Sequence, residues 1–128
     1  DTHGSMQETL DLALEANCEF ANFYCAMAYP GSKLYNMAIE NNWELPDSWI
    51  GYSQHSYETF PLRTVALTNA EVLKFRDEAF IKYFTNPRYL KLVNDKFGAD
   101  VLAHVKNMTR IKLNRKLYSG ELFTIQAA

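Results

Sequence analysis

The chain has 128 residues, 48% hydrophobic, 14% aromatic and 22% charged, with a formal net charge of −2. That suits one domain able to hide about two-thirds of its unfolded surface, and eight Phe, eight Tyr and two Trp exclude a disordered chain. No apolar run approaches the roughly 20 residues of a bilayer span, and two cysteines are too few for a disulfide scaffold, so a cytoplasmic protein is the default expectation.

Ser5-Met6-Gln7-Glu8 has the spacing of a capping box and predicts a helix to about residue 16. Met6, Leu10, Ala13 and Leu14 share one face of it, and Asn17 suits the left-handed residue that ends it. Residues 19–28 are almost wholly apolar, with no charge after Glu19. A half-buried strand alternates, so this run predicts a strand covered on both faces. Tyr29-Pro30-Gly31-Ser32 breaks it, and Ser32 caps a short helix carrying Leu34, Tyr35, Ala38 and Ile39, ending near Asn41 and Asn42. Helix, buried strand, turn and helix make half of a parallel α/β unit. Such a strand needs neighbours on both edges, and residues 49–52 are a weak second candidate. The pattern reads as the end of a larger parallel sheet, with a small mixed domain holding a two-stranded element as the alternative.

Residues 42–67 form an irregular connector in which Pro46 and Pro61 prevent long helices. Thr68-Asn69-Ala70-Glu71 is a second capping box and opens a helix to about residue 84, with Val72, Phe75, Ala79, Phe80 and Tyr83 on one face and Glu78 placed to pair with Lys82. Asn86-Pro87 starts the next helix and Gly98 closes it. A last helix is predicted over residues 99–117, with Val101, Val105, Met108 and Ile111 inward. Lys106, Arg110, Lys112, Arg115 and Lys116 form a basic run without an acidic residue, and beyond Ile111 its charges fall on the formerly inner face. The last turns therefore leave the core or contact something outside the chain, and a solvated terminal helix is the leading reading.

The small net charge conceals a division: residues 1–60 carry −8 and residues 61–128 carry +6. Two mutually attracting faces, or a basic surface for an acidic partner, would produce it. The chain opens on Asp1 without a basic-then-apolar leader and is expected to be part of a longer polypeptide.

Residues that could carry chemistry are sparse. Cys18 and Cys25 lack the close spacing of iron–sulfur or zinc ligands and read as packed thiols. His3, His55 and His104 form no metal motif; His104 reads as a core or boundary residue, and His55 either orders its loop or serves a site. Arg76 falls about 40° around the helix from Val72, on the aromatic side. It either stacks on Tyr83 or Phe80 with its head group reaching solvent, or meets a carboxylate or ligand anion beneath that face. The basic run is not interleaved with aromatic residues, which argues against nucleic acid as the partner.

Asp1-Thr2-His3-Gly4-Ser5-Met6-Gln7-Glu8-Thr9-Leu10, Ala21-Asn22-Phe23 and Tyr29-Pro30-Gly31-Ser32-Lys33-Leu34-Tyr35 together resemble the late part of radical S-adenosylmethionine enzymes. The likeness is to the subgroup with a cobalamin-binding domain, which includes the anaerobic magnesium-protoporphyrin IX monomethyl ester cyclases. Ser32 stands where that family has Thr and keeps the hydroxyl cap. The resemblance implies an α/β fragment, mostly helical: residues 1–41 would be the last helix–strand–helix of a partial (β/α)6 barrel, and residues 68–128 a C-terminal helical extension. It implies a parent that cleaves S-adenosylmethionine reductively at a 4Fe-4S cluster, with cobalamin as a further cofactor. The cluster and cobalamin would be held upstream, so the fragment alone would be inert and would bind no cofactor. Met27 and Tyr29, near the end of the strand, would face S-adenosylmethionine in the parent.

Upstream domains of the same polypeptide are the expected partners, and an open strand at residues 20–28 would invite self-association. A helical interaction module with a basic C-terminal helix is the alternative function.

Overall fold

The computed structural model describes residues 1–118, so the end of the predicted extension, 119–128, lies outside the described residues. Five α-helices occur among the described residues: α1 (His3–Ala16), α2 (Lys33–Glu40), α3 (Asn69–Phe84), α4 (Pro87–Phe97) and α5 (Ala99–Met108). Two short 3-10 turns, Trp49–Tyr52 and Lys116–Tyr118, complete the regular structure.

Local capping chemistry sets most of the helix ends. Ser32 accepts the Tyr35 amide at the start of α2. Thr68 and Glu71 cap α3 reciprocally, and Asn86 with Pro87 at the first helical position starts α4. Asn17 adopts the left-handed conformation (φ 47°, ψ 49°) that ends α1, and Gly98, at φ 87°, separates α4 from α5. Two ends differ from the sequence expectation. The α1 box joins Thr2 to Ser5, not Ser5 to Glu8, so the helix starts at His3. The last helix stops at Met108, leaving Ile111 exposed and residues 109–115 irregular; Val101 and His104 also face outward.

The predicted strand at residues 19–28 is not a strand, and no sheet exists among the described residues. The helix–strand–helix unit, and with it the partial (β/α)6 barrel, is therefore absent: the architecture is helical with long irregular connections. Residues 18–28 run unpaired along α3, with side chains that alternate as in a strand. Cys25 and Met27 are buried, whereas Asn22, Tyr24, Ala26 and Phe20 (67% exposed) face outward. An apolar run implies two covered faces only when both have something to pack on, and here the helices lie on one. Side chains satisfy the backbone where a neighbouring strand would have done so. Tyr83 donates to the Cys18 carbonyl, Tyr89 to that of Glu19 at 3.2 Å, and Arg76 to that of Phe23 at 2.7 Å. The Gln54 amide bridges both backbone groups of Cys25, at 3.0 and 2.9 Å. Among the described residues a single backbone bond joins the segment to another connection, from the Leu62 amide to the Ala26 carbonyl.

Residues 49–52, the weak second strand candidate, form a 3-10 turn. Gly51 permits it, because a β-carbon there would lie 2.5 Å from that of Pro46.

Packing divides the molecule into two ends. At the helical end, α4 packs on α5 and α3, burying Tyr83, Phe84, Tyr89, Val93 and Val105, with Phe23, Ala13 and Leu14 against them. At the other end, Cys25, Met27, Tyr52, Val72 and Leu73 form a second cluster beneath Leu67, Leu117 and Tyr118. Ala38 of α2 meets Ala28 and Leu62 in a small third cluster, while Ile39 is exposed. Lys96 pairs with Glu19, an ion pair that joins the acidic and basic halves. No ion pair joins Glu78 to Lys82 among the described residues.

Candidate functional site

The two residues expected to face S-adenosylmethionine sit differently. Met27 is 7% exposed and belongs to the buried cluster with Cys25, Tyr52, Val72 and Leu73. Tyr29, 48% exposed, lies at the proline-glycine corner with its ring 5.7 Å from that of Tyr52, whose other neighbour is the exposed Trp49 at 5.8 Å. Gly31, at φ 87°, lets the chain turn directly into α2 there. Tyr29 and Trp49 are thus two exposed rings on either side of the buried Tyr52, each able to stack a planar ligand, with Met27 in the same buried cluster as Tyr52.

Next to this surface lies a buried polar centre built around Asp77 of α3. The Arg115 side chain is 0% exposed and uses all five N–H groups. Two bind the Asp77 carboxylate at 2.8 Å each; the rest reach the carbonyls of Gln54 (3.0 Å) and Ser56 (2.8 Å) and the Thr59 hydroxyl (2.7 Å). Arg76 donates to the same carboxylate at 2.8 Å, and the Tyr118 hydroxyl donates to its other oxygen. Burial by itself would raise the Asp77 carboxyl, but the hydrogen bonds from Arg115, Tyr118 and Arg76 outweigh it and hold the group below its ordinary range. Burial, followed by the bond to Asp77, pushes the Tyr118 hydroxyl up. No buried side-chain nitrogen or oxygen among the described residues lacks a partner. The centre is consequently a structural clamp: a carboxylate saturated by two guanidiniums and a phenol has no lone pair left for proton transfer.

Both sequence readings of Arg76 hold in part. It lies over the Phe80 ring, 5.7 Å from its centroid, and it also meets a carboxylate, that of its neighbour Asp77. Its head group does not reach solvent; the residue is 6% exposed. His55 orders the connection, with Nδ1 3.5 Å from Arg76 and its ring edge against Tyr24. Burial, then the two nearby arginines, lowers its pKa and favours the neutral ring. Arg115 was legible only as the place where the amphipathic pattern breaks. It is no solvated helix residue, and its burial removes it from the basic surface that a helical interaction module would need.

Cys25 is buried and Cys18 exposed, so only one of the two is a packed thiol. Burial pushes the Cys25 thiol up to about 11, which keeps it neutral. No group of three or more His, Cys, Asp or Glu suited to a metal ion occurs among the described residues. These residues do not fit a 4Fe-4S cluster, which needs several thiolates brought together. No helix among them is long and apolar enough to cross a membrane.

No protein-family model matches the chain, and no solved structure matches it. The chain is similar to a protein of Pyrococcus horikoshii named an uncharacterized methyltransferase, 24% identical over 114 residues. The match covers 87% of this chain and 24% of that protein, so the chain spans about a quarter of its relative's length.

Proposed function

We propose that these residues form one portion of a longer S-adenosylmethionine-dependent methyltransferase of the radical type. The observation that carries this reading is the match itself: most of this chain aligns with about a quarter of a protein named a methyltransferase. The Tyr-Pro-Gly-Ser-x-Leu-Tyr stretch at residues 29–35 supports the radical S-adenosylmethionine assignment through its resemblance to that family. The relative's name favours methyl transfer over ring formation. In the parent, reductive cleavage of S-adenosylmethionine at a 4Fe-4S cluster, and the use of cobalamin, belong to parts of the polypeptide outside residues 1–128.

The contribution of this chain is positional. Tyr29 offers a ring face at the corner leading into α2, and Tyr52, packed with Met27 in the core, holds that ring in place. Equilibrium dialysis with S-adenosylmethionine tests the reading. The longer polypeptide is expected to bind it, Tyr29→Ala to weaken binding about tenfold through loss of one stacking contact, and residues 1–128 alone to bind none and transfer no methyl group. A longer polypeptide that lacks affinity for S-adenosylmethionine would overturn the assignment.

A further inference from the structure

After α5 the chain crosses the end of the molecule opposite the α4–α5 packing, and residues 115–118 carry its attachments to α3, the 54–59 connection and the buried cluster there. Ile111 and Leu113 are exposed, as are Lys112, Asn114 and Lys116; Arg115, Leu117 and Tyr118 turn inward. Arg115 binds two elements at once, Asp77 of α3 and the 54–59 connection. The Lys116 amide donates to the Tyr57 carbonyl at 2.9 Å, and Leu117 and Tyr118 lie on the cluster of Cys25, Met27, Tyr52, Val72 and Leu73. The helical end shares no residue with that cluster.

We propose that residues 109–118 are a latch that opens as a unit over the cluster of Cys25, Met27, Tyr52, Val72 and Leu73, with Arg115 as the bolt and Asp77 as its seat. A segment without helix or strand bonds along most of its length, whose inward side chains are gathered at Arg115, Leu117 and Tyr118, has the makings of a locally opening unit. Part of what it ties to is also irregular, since Gln54, Ser56 and Thr59 lie in the long connection. Closing the latch covers Met27 and Cys25; opening it uncovers the apolar floor behind the Tyr29 corner while the α3–α4–α5 packing stays intact. The latch stands independently of the methyltransferase reading.

The two cysteines allow a direct measurement on the whole 128-residue chain. Cys18 is exposed and Cys25 is buried under the latch cluster. Exchange with an aromatic disulfide forms a mixed disulfide on each thiol and releases one aromatic thiolate, so the chain is expected to show a fast phase from Cys18 and a slow one from Cys25. Cys18→Ser assigns the phases. The slow phase should accelerate about 100-fold in Arg115→Met, which loses a buried ion-pair partner. It should accelerate about tenfold in Tyr118→Phe, which loses one hydrogen bond to a carboxylate. The Cys18 phase and the far-ultraviolet circular dichroism should not change.

In the unaltered chain, the slow rate should rise with low urea along a much shallower slope than global unfolding, because opening a latch exposes little surface. A slope equal to that of global unfolding would overturn the proposal. So would a folded Arg115→Met whose Cys25 reacts within twofold of the parent. Should Arg115→Met fail to fold, Tyr118→Phe and the urea series decide.

Discussion

Arg115→Met removes the side chain that joins the 54–59 connection to α3. In the parent that guanidinium is fully buried, with five hydrogen bonds, two of them to Asp77. Removing one partner of a buried ion pair costs about 3–5 kcal/mol, chiefly because the remaining charge stays buried. Asp77 would keep Arg76 and Tyr118, and its own side chain is 17% exposed, so the loss should lie near the lower bound, about 3 kcal/mol. Arg115→Lys separates charge from geometry. An ammonium restores the positive charge but cannot span the carboxylate and the connection as a planar fork does, and it should recover less than half of the loss, about 1 kcal/mol.

Urea unfolding at pH 7 measures both variants in a Trp43→Phe background, with circular dichroism reporting the helices and fluorescence reporting Trp49, which packs on Tyr52. In Arg115→Met the fluorescence transition should precede the helical one. A loss below about 1 kcal/mol, the worth of an exposed ion pair, would refute this account of the clamp. Full rescue by Lys would refute the part assigned to geometry.

Acid should weaken the protein through Asp77. Its carboxyl is held below the ordinary range, so its contribution is complete above the unfolded value near pH 4 and is lost as pH falls through the lower folded value; a pH series of urea midpoints in which Asp77→Asn keeps the full acid limb would contradict this. Base should weaken it through Cys25, whose thiol rises from 9.0 to about 11, so stability present below pH 9 is lost between these values, by about 2–3 kcal/mol. Cys25→Ala should move the onset of alkaline loss upward, and thermal melts between pH 8 and 11 would show it. Gly51→Ala should destabilise by about 1–3 kcal/mol, because its β-carbon meets the Pro46 ring at 2.5 Å; an unchanged urea midpoint would refute the close approach.

The helix starts at Ser32, Thr68 and Asn86-Pro87, the stops at Asn17 and Gly98, and the inward faces of α1 and α3 were all legible before any coordinates. Each rests on bonds between residues at most four apart, so the information lies within one turn. The end of α5 at Met108 was not legible, since no glycine or proline marks it and Arg115, seven residues further on, is held out of the helix by Asp77. The apolar run at residues 19–28 was also misread. Its side chains alternate, yet nothing in its own residues indicates that Tyr83, Tyr89 and Arg76 would satisfy carbonyls that a strand offers to another strand. The Tyr29 corner was legible as a motif; the burial of Met27 behind it was not.

By itself the sequence determined where helices begin and which faces they hide, because capping bonds and apolar periodicity act over a few residues. Only the tertiary structure decided that an arginine in a basic run is the most enclosed charge of the described chain, and that residues 18–28 need no sheet. Both depend on partners 29 to 70 positions away, whose pairing follows from tertiary packing and not from any local spacing.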